Sequence, residues 1–163
     1  MPGVATAQIR LLDATNVELV LEQPAKRIVA LAPHIVELVY AVGAGDQLVG
    51  AVSHSDYPAA ALDVEQVGSY KQVNYEKIAA LKPDLILSFG SGNGYEMINR
   101  LRALGFTVYV DEPRSLRDVA TSLVNYAIML GHGEEGGRQS DKYLARLDKL
   151  VNTYASRPNV SVF

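Results

Sequence analysis

Residues 84–94, Asp-Leu-Ile-Leu-Ser-Phe-Gly-Ser-Gly-Asn-Gly, carry the pattern that decides the fold. The apolar run after Pro83 predicts a buried strand, and the glycines that follow it predict a flexible turn. Similar apolar runs alternate with helical patterns along the chain, which is typical of a parallel sheet covered by helices on both faces. The predicted parallel strands cover residues 27–31, 48–52, 84–89 and 107–110.

The segments between these strands carry apolar residues at helical spacing. Pro33 suits the first turn of one helix, and Asn74 is a favourable N-cap for a short helix over 75–81. Ser115 can cap a further helix that Gly131 ends. These start and stop signals place one helix after each strand.

Two further features lie outside this alternation. Residues 8–12 and 17–21 flank a turn-rich connection and predict a β-hairpin. Residues 53–73 form a polar connection of a length that, in compact domains, usually indicates either a functional or a disordered loop. The predicted fold class is therefore α/β, with a Rossmann-like parallel sheet flanked by helices, an N-terminal β-hairpin and a long C-terminal connecting helix.

That last helix is the single uninterrupted helical pattern over residues 134–157. At about 1.5 Å per residue it would be roughly 35 Å long, against a radius of gyration of roughly 15 Å expected for a chain of this length. Pro158 ends the pattern, and residues 159–163 resemble the start of a strand. We therefore expect the natural protein to continue, and we divide the chain into an N-terminal α/β lobe (1–133), an inter-lobe helix (134–157) and the start of a C-terminal lobe (158–163).

Composition restricts the function. The 163 residues are 48% hydrophobic and have a formal net charge of −3, which excludes a strongly basic nucleic-acid surface, so no nucleic-acid partner is expected. Cysteine is absent, which excludes thiolate chemistry and Cys-ligated metals, and the three histidines show no metal-ligand spacing. No signal-peptide pattern opens the sequence, so a leader is expected to have been removed.

The glycine segment also imitates a dinucleotide-binding motif. Gly90, Gly92 and Gly94 follow a strand and precede a helix, and an acidic residue follows at a suitable distance. Tyr95, however, stands where the third glycine of that motif belongs. A Rossmann-like nucleotide-dependent enzyme domain is therefore the alternative of another class. Since no catalytic constellation stands out, the sequence favours a binding protein that is not an enzyme.

Aromatic residues provide the main indication of a ligand. Tyr57, Tyr70, Phe89 and Tyr95 lie in segments that leave the carboxyl ends of predicted strands, where open α/β sheets bind ligands. Several flat amphipathic side chains at one rim suit a large, flat and mostly uncharged ligand. Scattered surface tyrosines are the alternative interpretation.

These positions coincide with a family resemblance. The chain resembles class III substrate-binding proteins, which serve ATP-driven importers of cobalamin, iron–siderophores and haem. The resemblance covers the chain from about residue 8 onward and is closest to the cobalamin-binding branch. The residues that carry it are those of 24–33 (Pro-Ala-Lys-Arg-Ile-Val-Ala-Leu-Ala-Pro), Glu37-Leu38, Ser55-Asp56-Tyr57-Pro58, 67–70 (Val-Gly-Ser-Tyr), 74–78 (Asn-Tyr-Glu-Lys-Ile) and 81–86 (Leu-Lys-Pro-Asp-Leu-Ile).

The resemblance implies two α/β lobes joined by one long helix, with the ligand held between them. It implies that Tyr57, Tyr70 and Phe89 line the ligand cleft, with Pro33 and His34 at the loop floor. No cofactor is implied: the expected ligand is a corrinoid of the cobalamin type, with haem or a ferric siderophore as the alternative. Cobalamin binders often have Trp where this chain has Tyr70 and Phe89, and a small residue where it has His34.

The resemblance also implies partners and a location. Glu76 falls at the motif position whose carboxylate docks on an arginine of the membrane permease of the importer. An ordinary glutamate that complements a helix dipole is the alternative interpretation of Glu76. The implied location is the periplasm or another extracytoplasmic space. The exposed stripe of the long helix further favours a homodimer of the truncated lobe.

Overall fold

The structure is a computed structural model that describes residues 8–158. The sequence-predicted strand over 159–163 lies outside the described residues. In chain order the strands are β1 (Ile9–Leu12), β2 (Glu18–Leu21), β3 (Ile28–Ala30), β4 (Leu48–Ala51), β5 (Leu85–Phe89) and β6 (Val108–Asp111). The α-helices are α1 (Pro33–Ala41), α2 (Tyr75–Leu81), α3 (Gly90–Asn93), α4 (Tyr95–Ala103), α5 (Asp118–Leu130) and α6 (Gly133–Tyr154).

The central sheet is parallel and has the order β4-β3-β5-β6. From β3 the chain first forms β4 on one side and then returns to form β5 on the other side. The strand order therefore reverses between β3 and β5. In open α/β sheets the loops diverge at such a point and leave a crevice at the carboxyl ends of the strands.

Helices cover both faces of this sheet because alternate strand residues point to opposite sides. On one face Ile28 and Leu87 pack in a core with α1 and α5. On the other face Val29 and Ile86 pack in a second core with α2 and α4. The predicted α/β class, with its Rossmann-like parallel sheet, is confirmed.

The predicted capping residues form the expected contacts. The Oδ1 atom of Asn74 accepts a hydrogen bond of 2.9 Å from the Lys77 N–H at the start of α2. Ser115 and Asp118 cap α5 reciprocally: the Ser115 N–H donates to the Asp118 carboxylate at 2.8 Å, and the Asp118 N–H donates to the Ser115 hydroxyl at 3.2 Å. Gly131 ends α5 with φ of +80°, a conformation that favours glycine.

The prediction of a flexible turn over residues 90–94 is wrong. Residues Gly90–Asn93 form the short helix α3, and Gly94 follows with φ of +80°. The Ser91 N–H donates to the Glu112 carboxylate at 2.6 Å, which holds the first turn of this helix. The contact depends on a residue twenty-one positions away, and so local glycine content could not reveal it.

The long helix α6 is continuous over its 22 residues, in agreement with the predicted helical pattern. It packs on α5, where Gly136 lies so close to Ala127 that an added methyl group would overlap it. The Arg117 guanidinium contacts the Asp148 carboxylate at 2.5 Å. Beyond that contact α6 is exposed up to its end. No helix within residues 8–158 is both long and apolar enough to cross a membrane.

The predicted β-hairpin forms and is held to the edge of the sheet by Asp13 in its turn. The buried Asp13 carboxylate accepts hydrogen bonds from the N–H groups of Thr15 (2.7 Å), Val17 (3.0 Å) and Val110 (3.3 Å). It also accepts a hydrogen bond of 2.5 Å from the Arg102 guanidinium. One side chain therefore joins β1, β2, β6 and α4.

We expect Asp13→Ala to lower the free energy of unfolding by about 2–4 kcal/mol, because it leaves buried donors and one guanidinium without their acceptor. Urea unfolding followed by circular dichroism measures this loss. Glu18→Ala is the control, since its exposed ion pair with Arg10 should contribute less than about 1 kcal/mol. Equal losses in the two variants would show that Asp13 does not hold the hairpin.

Candidate functional site

The crevice between the carboxyl ends of β3 and β5 brings together residues that are far apart in sequence. Pro33 and His34 follow β3 at the start of α1, and Phe89 ends β5. The His34 and Phe89 rings lie edge to face, with their centroids 4.8 Å apart and their planes at 87°. Three of the sequence-predicted ligand residues therefore lie at the strand reversal.

Tyr70 reaches the same crevice from the long connection between β4 and α2. Its backbone carbonyl accepts a hydrogen bond of 2.7 Å from the Asn93 side chain, which also binds the end of β5. The Tyr70 side chain is 42% exposed, and the Lys71 ammonium lies 5.5 Å from its ring centroid. The backbone at Tyr70 is thus fixed while its ring remains available for contact.

Tyr57 and His34 line one groove of about 670 Å³ that runs between α1, α5 and α6. The Tyr57 side chain is 67% exposed, so most of its ring faces solvent. The groove walls are mainly apolar, whereas Lys142 and Arg146 on α6 supply cationic groups. The other lining residues are Glu37, Leu38, Ala41, Pro113, Leu116, Val119, Leu123, Gln139, Tyr143, Leu147 and Leu150.

His34 is held in its neutral form. Burial lowers the pKa of its imidazole below the usual value, and the negative charges of Asp111, Glu37 and Glu112 oppose that shift only in part. Its Nε2 atom is buried and has no hydrogen-bond partner among the described residues. A neutral imidazole with an unpartnered nitrogen can accept a hydrogen bond from a ligand or coordinate a metal that a ligand carries.

Beneath the crevice, β6 contributes a buried polar cluster. The Tyr126 hydroxyl donates to the Asp111 carboxylate at 3.0 Å, and burial raises the pKa of Tyr126. Burial also raises the pKa of Tyr109 to about 12, and the Asn125 amide donates to its hydroxyl at 3.0 Å. Both tyrosines stay neutral at physiological pH and join α5 to the end of β6.

Glu76 lies in the first turn of α2, on the face of the sheet opposite α1 and α5. Its side chain is exposed and forms no ion pair with another described residue. The neighbouring Lys77 pairs with Glu65, and the Arg100 guanidinium stacks on the Tyr75 ring at 4.7 Å. The nearby positive groups are therefore engaged, and the Glu76 carboxylate faces solvent.

The glycines of α3 have a structural explanation that needs no nucleotide. A methyl group at Gly90 would overlap the Glu112 carboxylate, and one at Gly92 would overlap the Phe89 ring. The Glu112 carboxylate also accepts the hydrogen bond of the Ser91 N–H, so this donor is not free to bind a phosphate. Among residues 8–158, no cluster of three His, Asp or Glu side chains is arranged to hold a metal ion.

A model of the periplasmic binding protein family matches residues 28–163. The chain belongs to that family. The vitamin B12-binding protein of Vibrio cholerae is 39% identical over 140 residues, which are 86% of this chain and 51% of that protein. The chain thus spans about half the length of the curated relatives it matches.

Solved structures show the same likeness. The crystal structure of the periplasmic vitamin B12 binding protein of Vibrio cholerae matches with a TM-score of 0.80, covering 84% of this chain and 54% of that one. The apo form of a periplasmic haem-binding protein from Roseiflexus sp. RS-1 matches with a TM-score of 0.73 at 25% identity, covering 83% and 52%. The resemblance to class III binding proteins, nearest the cobalamin branch, is confirmed, whereas the ligand roles of individual residues remain predictions.

Sequence reasoning missed Asn93. The buried Asn93 side chain lies at the centre of the crevice and binds the backbone of three segments. The only local signal is a polar residue between two glycines, which also fits an exposed turn.

The neutral state of His34 predicts a pH dependence of stability. Because its pKa is lower in the folded than in the unfolded protein, the unfolded state binds more protons, and stability falls as the pH drops through the unfolded value of about 6.5. When the pH is lowered from about 7.5 to about 5, we expect the free energy of unfolding to fall less in His34→Gln than in the wild type. Urea unfolding at both pH values measures the difference.

His54→Gln is the matched control, since His54 is exposed in the connection after β4. This variant should keep the acid sensitivity of the wild type. If His34→Gln kept it as well, the burial of His34 would not carry a proton-linked cost.

Proposed function

We propose that this chain is the lobe and inter-lobe helix of the substrate-binding component of an ABC importer, and that it captures a corrinoid of the cobalamin type. The observation that carries the proposal is the pairing of 39% identity to a vitamin B12-binding protein with an aromatic crevice at the strand reversal. We further propose a periplasmic location, because the family is named for that compartment.

The chemistry of the crevice suits a large flat ligand. The half-buried rings of Phe89 and His34 pack edge to face at the strand reversal, and the exposed Tyr57 and Tyr70 are available for further contact with a ligand. Aromatic rings bury much apolar area at a small cost in conformational entropy, and the tyrosine hydroxyls can bind the polar edge of a ligand. Because burial lowers the pKa of His34, the neutral form of its imidazole is favoured, which suits a mostly uncharged ligand such as a corrinoid.

Haem is the second candidate, and His34 is the observation that favours it. An imidazole can serve as an axial iron ligand, and haem-binding proteins are among the structural matches, but the buried Nε2 atom of His34 would have to become exposed to reach an iron. A ferric siderophore has less support: Lys71, Lys142 and Arg146 lie near the candidate aromatic residues, but Glu37 lines the same groove and no cluster of cations faces His34 and Phe89 among the described residues.

Visible spectroscopy separates these ligands. The protein expressed from its complete gene is titrated with cyanocobalamin, haem and a ferric siderophore, and the absorption bands of each are followed. We expect saturable binding of cyanocobalamin and weaker responses with the other two. Saturable binding of haem alone, with a Soret shift abolished by His34→Ala, would replace the corrinoid proposal by the haem proposal.

The division of the chain also belongs to the proposal. We assign residues 1–133 to one lobe and 134–157 to the helix that joins it to a second lobe. A single lobe offers half of a ligand's contact surface, so the 163-residue chain should bind corrinoid weakly by itself. The exposed apolar stripe at the end of α6 would then favour self-association of this shortened chain.

Tyr70→Ala tests the aromatic rim. Removal of one stacking ring should weaken cyanocobalamin binding about 10-fold to about 100-fold in isothermal titration calorimetry on the complete protein. Tyr75→Ala is the control, because this half-buried tyrosine of α2 stacks on Arg100 of α4, on the face of the sheet opposite α1 and α5. Equal affinities of Tyr70→Ala and the wild type would remove Tyr70 from the site.

We also propose that Glu76 docks on a membrane permease. Its exposed carboxylate in the first turn of α2 is available to an arginine of a partner, which can bind a carboxylate through two parallel hydrogen bonds. Family membership supports this role, because a binding protein must deliver its ligand to a permease.

Glu76→Ala should weaken binding of the ligand-loaded protein to permease vesicles by about 10-fold or more, while cyanocobalamin affinity stays unchanged. Glu96→Ala is the matched control, since Glu96 is an exposed glutamate in the first turn of α4. Surface plasmon resonance on immobilised vesicles measures both variants. If Glu76→Ala bound the permease vesicles as tightly as the wild type, the docking role would be wrong, and Glu76 would only complement the helix dipole.

A further inference from the structure

Asn93 is buried, with 6% exposure, and its side chain uses both amide donors and its carbonyl acceptor within the crevice. Its Oδ1 atom accepts from the Phe89 N–H at 2.7 Å. Its Nδ2 group donates to the Leu31 carbonyl at 2.8 Å and to the Tyr70 carbonyl at 2.7 Å. One amide thus joins the ends of β3 and β5 to the long connection before α2.

This amide replaces one hydrogen bond of the sheet. The last direct bond between the two strands runs from the Leu31 N–H to the Leu87 carbonyl at 2.9 Å. In a parallel ladder the next bond would run from the Phe89 N–H to the Leu31 carbonyl. Here both groups bind the Asn93 amide instead, so the side chain stands between the strands where they separate.

The third hydrogen bond extends this arrangement to the rim. The Tyr70 carbonyl is bound from inside the crevice, which sets the backbone from which the exposed Tyr70 ring projects. The Phe89 ring also lies against Gly92, the residue before Asn93, so closely that a side chain at position 92 would overlap the ring. Asn93 therefore sets the separation of two aromatic groups that come from different segments.

We propose that Asn93 is the positioning residue of the ligand site. Its side-chain amide holds β3 and β5 apart and fixes Phe89 and Tyr70 before the ligand arrives, so that affinity depends on a buried residue. This inference rests on the proposed corrinoid function for its ligand, and on the three hydrogen bonds for its mechanism. Such preorganisation strengthens binding because less order has to be gained on association.

Asn93→Asp is the sharpest variant, because it keeps the shape of the side chain and the acceptor for the Phe89 N–H. It replaces the donor group by an oxygen that faces the Leu31 and Tyr70 carbonyls. At about pH 8 we expect cyanocobalamin affinity of the complete protein to fall about 10-fold to about 100-fold relative to the wild type.

Acid should restore much of this loss. Burial and the two facing carbonyls disfavour the charged carboxylate, so the pKa of the new Asp should lie above its ordinary range. Once protonated, the Asp can donate to one of the two carbonyls. The ratio of variant to wild-type affinity should therefore rise as the pH is lowered from about 8 to about 5. A merely structural loss would not recover in acid.

Asn125→Asp is the matched control. It makes the same chemical change at a half-buried asparagine of α5 whose side chain donates to the Tyr109 hydroxyl. Its affinity should equal that of the wild type. Hydrogen exchange of the ligand-free proteins, read by mass spectrometry, should show faster exchange over residues 68–73 in Asn93→Asp alone.

The outcomes separate the two proposals. Three outcomes would each overturn the positioning role. Asn93→Asp could bind cyanocobalamin with wild-type affinity at about pH 8, or its loss of affinity could persist in acid. Asn125→Asp could also lose as much affinity as Asn93→Asp. If the wild-type protein bound no cyanocobalamin, the proposed function would fail. The exchange over residues 68–73 would then decide separately whether Asn93 fixes the rim, and unchanged exchange in Asn93→Asp would overturn that role as well.

Discussion

The pairing of β3 with β5 is the constraint on which the site depends. These strands are adjacent in the sheet but separated in sequence by β4 and α2, and so their carboxyl ends meet where the connecting segments turn in opposite directions. That geometry places three of the crevice residues directly: Pro33 and His34 by the exit from β3, and Phe89 by the exit from β5. A slip of one residue in the pairing would turn the strand side chains to the wrong faces of the sheet.

Local signals were sufficient where the physical cause is local. Asn74 caps α2, Ser115 caps α5 and Gly131 ends it, as expected from their own neighbours in the chain. The alternation of apolar runs with helical patterns likewise specified the α/β class, because strands buried on both faces read as continuous apolar segments. The continuous α6 followed from its apolar stripe and from the absence of proline before Pro158, and its packing on α5 requires the glycine at position 136.

The site was less predictable because its contacts are long-range. Glycines 90, 92 and 94 suggest a loose turn, yet Glu112 closes that turn into a helix from twenty-one residues away. Asn93 carries no motif, and its role depends on carbonyls of Leu31 and Tyr70 that only the folded chain brings within reach. The neutral state of His34 likewise results from burial, which composition does not reveal. The aromatic residues could be proposed in advance because ring size and loop position are visible in the sequence.

The uneven packing of α6 gives this helix a gradient of local stability. Its first half packs on α5 through Gly136 and Ser140, both buried, whereas every residue from Asp148 to Tyr154 is exposed. A short helical segment with few tertiary contacts is marginal in water, since most helical stability in proteins comes from packing. The helix should therefore open from its carboxyl-terminal end at low free-energy cost while its amino-terminal turns stay closed. Any surface that covers those last turns would stabilise the carboxyl-terminal end of the helix against local unfolding.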